Sequence, residues 1–193
     1  MRPKLRRRAL FAMAAGETLA VAGRPGKPSA QSIDPPASGP ALAGIETLKP
    51  TDPPVSLPPA TLVDAEGRPH GIGDFAGSGL VLNLWATWCV PCVAELPALA
   101  ALAARVKDAS ILVLPLASDR GGAPVVAGFY RRHGIEGLPV WLDPTGAAAR
   151  AWGARGIPTT LLVDRQGRER GRLEGPVDWA SDAALAAVRR LVG

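Results

Sequence analysis

Two cysteines stand three positions apart in this chain, and they are its only cysteines. They are Cys89 and Cys92, within the stretch NLWATWCVPCVAELP at residues 83–97. Such a pair can serve a structural zinc site, a structural disulfide or a redox-active dithiol. A structural zinc ion takes four protein ligands, whereas no second cysteine pair exists and both histidines, His70 and His133, are distant in sequence. A structural disulfide would close a very short loop and stabilise little, so we interpret the pair as redox-active.

The spacing gives each of the two sulfurs its own role. An apolar run before the pair, GLVLNLWAT, predicts a buried strand, and the sequence from Val90 to Lys107 predicts a helix behind it. If Cys89 caps that helix, its sulfur faces unpaired N–H groups and the positive end of the dipole, which favour the thiolate. Cys92, one turn further, can attack a mixed disulfide formed by Cys89. We therefore predict that Cys89 is the nucleophile and Cys92 the resolving thiol.

Glu95 is the neighbour best placed to carry a proton for this chemistry. Because helical residues advance by ~100° each, Glu95 lies only ~60° around the axis from Cys92. It also projects within the apolar stripe of the predicted helix, where burial should raise the pKa of its carboxyl. We predict that Glu95 exchanges protons with the Cys92 side. The alternative is a carboxylate that only stabilises the helix N-terminus.

Asn83 and the tryptophans are the other notable residues around the pair. The amide of Asn83 cannot titrate, which favours Glu95 for the proton work; alternatively, Asn83 is a strand residue bonded to the backbone. Trp88 borders Cys89 and is expected to shield it, whereas Trp85 is expected in the core. Three further tryptophans are interpreted as packing residues: Trp141, Trp152 and Trp179.

Strands and helices alternate from about residue 60 to the end of the chain. The predicted elements are a short hairpin in ATLVDAEGRPHGI, strands in GLVLNLWAT, SILVLPLAS, LPVWLD and TTLLVD, helices in Val90–Lys107, APVVAGFYRRHG, AAARAWGA and SDAALAAVRRLV, and a last hairpin strand in ERGRLEG. This order predicts an α/β fold in which helices flank a mixed, mainly parallel central sheet. It is compatible with a thioredoxin-like fold that carries an extra helix–strand insertion and a short N-terminal hairpin.

The first 59 residues differ in composition from the rest. Residues 1–22 join a basic stretch, MRPKLRRR, to the apolar ALFAMAAGETLAVA and predict a signal or anchor segment; the alternative is a disordered basic tail. Residues 23–59 hold ten of the twenty prolines and predict a flexible linker. The folded domain is therefore expected at residues 60–193.

The net charge of +5 does not indicate a nucleic-acid-binding protein. Five basic residues within the first eight account for all of it, since removing them leaves 17 basic residues against 17 acidic ones. No basic surface for phosphates is expected beyond residue 8.

The stretch LVLNLWATWCVPCVAELPAL resembles the TlpA/ResA group of thioredoxin-like thiol:disulfide interchange proteins. The likeness continues through LDPTGAAARAWGARGIPTTLLVDRQGRERGRLEG and covers most of residues 60–193. The resemblance implies a thioredoxin-like fold and an exported, periplasmic oxidoreductase, often tethered to the inner membrane. An acid follows the second cysteine at the spacing of Glu95 in this group. No cofactor and no metal are expected.

The same resemblance implies where a client protein docks. The proline of IPTT, Pro158, corresponds to the cis-proline that faces the cysteine pair, and a client peptide pairs like a strand near Ile157. Trp88 and Thr159 are predicted to complete this client-binding surface. Without the resemblance, Pro158 would only mark the start of an edge strand.

The resemblance also implies partners for the reaction. Clients are expected to be proteins with cysteine pairs in cytochrome c maturation or cytochrome oxidase copper-site assembly, and a membrane electron donor of the CcdA/DsbD type would re-reduce the pair. Val90 and Pro91 lack the histidine that strongly oxidising relatives carry between their cysteines, so a reductant is expected. We expect a monomer. The alternative from another class is a Cu(I)-binding metallochaperone that uses both thiolates.

Overall fold

An eight-stranded mixed sheet lies at the centre of the part of the chain that the computed structural model describes, residues 42–193. Its strand order is β1-β8-β7-β4-β5-β6-β2-β3. The strands are β1 Lys49–Ser56, β2 Leu62–Asp64, β3 Pro69–His70, β4 Gly79–Trp85, β5 Ile111–Ala117, β6 Trp141–Leu142, β7 Thr159–Val163 and β8 Arg168–Glu174. The central strand β4 pairs in parallel with β5 and antiparallel with β7. β5 also pairs in parallel with β6, and the other five pairings are antiparallel. The predicted mixed sheet is thereby confirmed, but the prediction that it is mainly parallel is wrong, because the strands on both sides of β4, β5 and β6 join antiparallel.

Within residues 42–193, four α-helices cover the sheet: α1 Val90–Val106, α2 Gly122–His133, α3 Ala147–Ala151 and α4 Asp182–Val192. Their ends follow local signals in the sequence. The hydroxyl of Ser181 accepts a hydrogen bond from the N–H of Ala184 and caps α4. Gly134 ends α2 in the left-handed conformation, at φ 62°, where glycine is favoured. The predicted helices are thus all present.

The strand β4 is buried along its whole length, and its side chains alternate between two apolar clusters. Val81 and Trp85 belong to the cluster that α1, α2 and α4 share with the sheet. Leu80, Leu82 and Leu84 belong to the other cluster, which includes α3. Asn83 lies between Val81 and Trp85 in the alternation, so it faces the same side as α1.

The predicted flexible linker, residues 23–59, is wrong for its last part. Residues 49–56 form β1, which pairs with β8, and Ala43 makes an isolated bridge to Val177. The folded part therefore begins well before residue 60. Prolines are tolerated in β1 because it is an edge strand with only one hydrogen-bonded neighbour. The predicted signal segment, and the linker up to residue 41, lie outside the described residues.

A helix that spans a membrane must be long and almost continuously apolar, and this requirement can be applied to the helices between residues 42 and 193. None of them is both long enough and apolar enough to cross a membrane.

Candidate active site

The cysteine pair lies where β4 ends and α1 begins. Cys89 is the N-cap of α1, and Cys92 lies in its first turn. The two sulfurs form a disulfide, with the Cα atoms 5.3 Å apart. Cys89 is 6% exposed, whereas Cys92 is completely buried. A partner protein therefore meets the sulfur of Cys89 rather than that of Cys92.

A carboxylate from the end of β5 holds the turn that leads into the pair. The carboxylate of Asp119 accepts two hydrogen bonds from Thr87, one from its backbone N–H at 3.0 Å and one from its side-chain hydroxyl at 2.5 Å. The N–H of Cys89 in turn donates to the carbonyl of Ala86 at 3.1 Å. Asp119 is a residue that the sequence reasoning missed, because nothing local relates it to a turn 32 positions upstream.

The loop before β7 approaches the pair from the other side. The Ile157–Pro158 peptide bond is cis, which confirms the prediction for Pro158. The carbonyl oxygen of Ile157 lies 3.8 Å from the sulfur of Cys89. The carbonyl of Ile157, next to the cis-proline, is therefore close to Cys89, as the resemblance implied.

Thr159 does not reach this surface, so its predicted contact with a client is wrong. Its side chain is 1% exposed, and its hydroxyl donates to the carbonyl of Gly156 at 2.7 Å. Its backbone belongs to β7, which has β4 on one side and β8 on the other. A client peptide therefore finds no free group on Thr159.

Trp88 projects into solvent beside Cys89, with 70% of its surface exposed. It borders a cavity of about 270 Å³ that also has Ile157 in its wall. Apolar side chains such as Leu84 line this cavity together with three charged ones, those of Asp143, Arg150 and Arg155. Trp88 therefore frames a recess next to the pair, and the shielding of Cys89 by Trp88 stays a prediction.

Glu95 is completely buried one turn along α1 from Cys92, and three donors surround its carboxylate. The amide of Asn83 donates to Oε1 at 2.7 Å. The backbone N–H of Val177 and the indole N–H of Trp179 both donate to Oε2, at 3.0 Å and 3.2 Å. Burial raises the pKa of Glu95 to about 7, although the three hydrogen bonds act in the opposite direction. The predicted rise of this pKa is confirmed, and the carboxyl can gain or lose a proton near neutral pH.

The side-chain amide of Asn83 is hydrogen-bonded to Glu95. The alternative, an Asn83 side chain bonded to the backbone, is therefore wrong. The amide nitrogen of Asn83 donates to Glu95 and, at 2.9 Å, to the hydroxyl of Thr160. Its own oxygen, Oδ1, is buried and has no hydrogen-bond partner among the described residues. A 180° rotation of the amide would turn Oδ1 toward Glu95, where it could accept a hydrogen bond from the protonated carboxyl. Asn83 can therefore serve both protonation states of Glu95.

Trp179 was interpreted as a packing residue, but it is also a hydrogen-bond donor to Glu95. Trp179→Phe should keep most of the ring packing and remove only this donor. Because the donor stabilises the carboxylate, we expect the pKa of Glu95 to rise further, by about one unit. Carboxyl-carbon NMR titration of Glu95 measures this shift.

Trp152→Phe is the matched control for that measurement. Trp152 is also buried, and its indole N–H also donates to a carbonyl, that of Pro58 at 3.0 Å. It belongs to the apolar cluster that does not contain Cys92 or Trp179. Equal pKa values for Glu95 in the two variants would show that the indole donor of Trp179 does not stabilise the carboxylate.

Between residues 42 and 193, no group of three or more His, Cys, Asp or Glu side chains is placed to hold a metal ion.

A mixed sheet, a disulfide of the Cys-x-x-Cys type at the start of a helix and a facing cis-proline define the class of thioredoxin-like proteins. Comparisons with known proteins agree. Residues 52–187 match the Redoxin family. The thiol-disulfide oxidoreductase ResA of Geobacillus thermodenitrificans is 32% identical over 122 residues, which cover 62% of this chain and 68% of that protein.

Two further comparisons extend this result. The thiol:disulfide interchange protein DsbE homolog of Paracoccus denitrificans is 36% identical over 97 residues, or 50% of this chain and 51% of that protein. The crystal structure of a thiol:disulfide interchange protein from Chlorobium tepidum, 25% identical, superposes with a TM-score of 0.59 over 74% of this chain and 99% of that one. The chain therefore belongs to the Redoxin family, as a thiol-disulfide oxidoreductase of the TlpA/ResA group.

Proposed function

We propose that the protein reduces disulfides of client proteins outside the cytoplasm. The thiolate of Cys89 attacks one sulfur of the client disulfide, which forms a mixed disulfide and releases the other client sulfur as a thiolate. Cys92 then attacks Cys89, forms the Cys89–Cys92 disulfide and frees the second client thiol. Two electrons thus pass from the protein to the client. The observation that carries the proposal is the Cys89–Cys92 disulfide at the start of α1, with only the Cys89 sulfur near the surface.

Glu95 supplies the proton acceptor that the second step needs. Cys92 is completely buried, so its thiol has no solvent at hand to take its proton. A carboxyl one turn further along α1, with a pKa of about 7, can accept that proton at neutral pH and return it when the pair is reduced again. The buried position of both groups supports this assignment.

Clients dock across Cys89 in this proposal. The backbone of Ile157 pairs with an extended client segment, and Trp88 lies against the residue next to the client cysteine. The recess between Trp88 and Ile157, about 270 Å³ in volume, accepts a client side chain. The 3.8 Å approach of the Ile157 carbonyl to the Cys89 sulfur supports this arrangement, because a paired client strand would place its cysteine at that sulfur.

The cellular setting is inferred from the sequence and from the relatives. The basic and apolar residues 1–22 support export, with cleavage or retention as a tether to the inner membrane. The similarity to proteins named ResA and DsbE supports clients in cytochrome c maturation or cytochrome oxidase copper-site assembly. A membrane protein of the CcdA/DsbD type would return electrons to the pair, and the protein would act as a monomer.

Trapping with Cys92→Ser tests the proposal. Without the resolving thiol, the mixed disulfide between Cys89 and a client should persist. We expect covalent complexes that disappear on treatment with a reductant, and mass spectrometry should identify clients with paired cysteines. The double variant Cys89→Ser/Cys92→Ser is the control and should trap nothing. Tight Cu(I) binding by the wild-type dithiol, without trapped clients or insulin reduction, would instead favour a metallochaperone.

A further inference from the structure

Two of the three donors to Glu95 come from one short segment, residues 176–179. The N–H of Val177 and the indole of Trp179 both donate to Oε2 of the carboxylate. This segment follows β8 and precedes α4, so it belongs to neither a strand nor a helix. Its conformation therefore depends on the contacts that it makes with other parts of the chain.

Ala43 makes one of these contacts with its backbone. The N–H of Ala43 donates to the carbonyl of Pro176 at 2.9 Å, and the N–H of Asp178 donates to the carbonyl of Ala43 at 2.9 Å. The two bonds bracket Val177, with which Ala43 forms a parallel bridge.

The backbone pattern explains how this bridge affects Glu95. In an extended segment, successive residues aim their backbone groups at opposite sides. Because Pro176 and Asp178 turn their groups toward Ala43, Val177 turns its N–H to the other side, where Glu95 lies.

We propose that Ala43 is a positioning residue for Glu95: its two backbone hydrogen bonds hold residues 176–178 in the extended form that aims the N–H of Val177 at the carboxylate. The functional consequence rests on the proposed function, in which Glu95 carries a proton for Cys92. It also means that the chain leading from the N-terminal segment is bonded directly to the surroundings of the active site.

The other groups around Glu95 show in which direction its pKa should change when one hydrogen-bond donor is weakened. Asn83 on β4, Thr160 on β7 and Trp179 are uncharged, and Asn83 and Trp179 are bonded to Glu95 in the same way as Val177. On α1, Cys92 is part of the disulfide in the oxidised protein and has no proton to exchange there. No charged side chain contributes to the raised pKa of Glu95, which reflects burial opposed by hydrogen bonds. Weakening one donor should therefore raise this pKa further.

Ala43→Pro in the full-length chain tests the proposal, because proline has no N–H to donate to Pro176. Carboxyl-carbon NMR of the oxidised protein should show the pKa of Glu95 shifted upward by about half a unit to one unit. Gly44→Pro is the matched control, since the N–H of Gly44 bonds to no described residue and its φ of −80° suits proline. The side chain that the new ring would meet, that of Glu46, is exposed and free to turn away.

An unchanged or lowered pKa of Glu95 in Ala43→Pro, or an equal rise in Gly44→Pro, would overturn the proposal.

Amide hydrogen exchange of the wild-type protein gives a second test, which does not depend on the variant folding. The N–H groups of Val177 and Asp178 should both be protected, and exchange of the Asp178 amide at the rate of an open loop would equally overturn it. Insulin reduction by the wild type tests the proposed function separately, since neither NMR experiment depends on turnover.

Discussion

Cys89→Ser is expected to lower the rate of insulin reduction to that of the chemical reductant alone. Cys89 holds the only sulfur of the pair that a client can reach, because Cys92 is completely buried behind it. Cys92→Ser should also stop turnover, but after the first step, with a mixed disulfide left on Cys89. Insulin turbidity measures the turnover, and a non-reducing gel distinguishes the two variants.

The basis of this expectation is the position of Cys89 at the start of a 17-residue helix. Its sulfur should ionise below the usual pKa of about 8.5, since the helix N-terminus stabilises a negative charge. In Cys92→Ser, the pH dependence of alkylation by iodoacetamide reports this pKa directly. Alkylation of Cys89 that follows free cysteine, or faster alkylation of Cys92 in Cys89→Ser, would contradict the assigned roles.

The parts of the fold that were predicted correctly are those with strong local signals. The seven residues of β4 are all buried and, apart from Asn83, carry no polar side chain, which is typical of an inner strand. The ends of α2 and α4 follow from Gly134 and Ser181, whose backbone and side chain satisfy the helix termini locally. The strand β1 was missed because prolines usually exclude a strand, and only pairing with the distant β8 stabilises it.

The active site, like the fold, was predictable where its residues are close together in the sequence. Cys89, Cys92 and Glu95 lie within seven positions of one another, so helical geometry alone relates them. The donors to Glu95 from Val177 and Trp179 lie 82 and 84 positions away in sequence, and no local pattern indicates such contacts. Thr159 shows the limit of resemblance, because a matching motif does not say which side chains of the motif face the solvent.

Glu95→Gln should remove a pH dependence of stability that the wild type shows. The folded protein holds the proton of Glu95 up to a pKa of about 7, whereas the unfolded chain loses it near 4.5. The stabilisation is therefore fully present below pH 4.5 and is lost as the pH rises through 7. The free energy of unfolding of the wild type should fall, relative to that of Glu95→Gln, by on the order of 3 kcal/mol across this window. Denaturant unfolding of the oxidised proteins at pH 4.5 and pH 8 measures the difference.

Glu95→Gln should nevertheless fold, because glutamine can replace the protonated carboxyl. Its oxygen can accept from Val177 and Trp179, and its amide can donate to the unpaired Oδ1 of Asn83 once that amide rotates. Since glutamine cannot accept the proton of Cys92, thiol exchange at pH 7 should slow by about 10²-fold. Glu136→Gln, which changes an exposed acid, is the control for both measurements. Exchange rates that match this control from pH 5 to 9 would exclude Glu95 as the proton carrier, even if the stability difference appeared as expected.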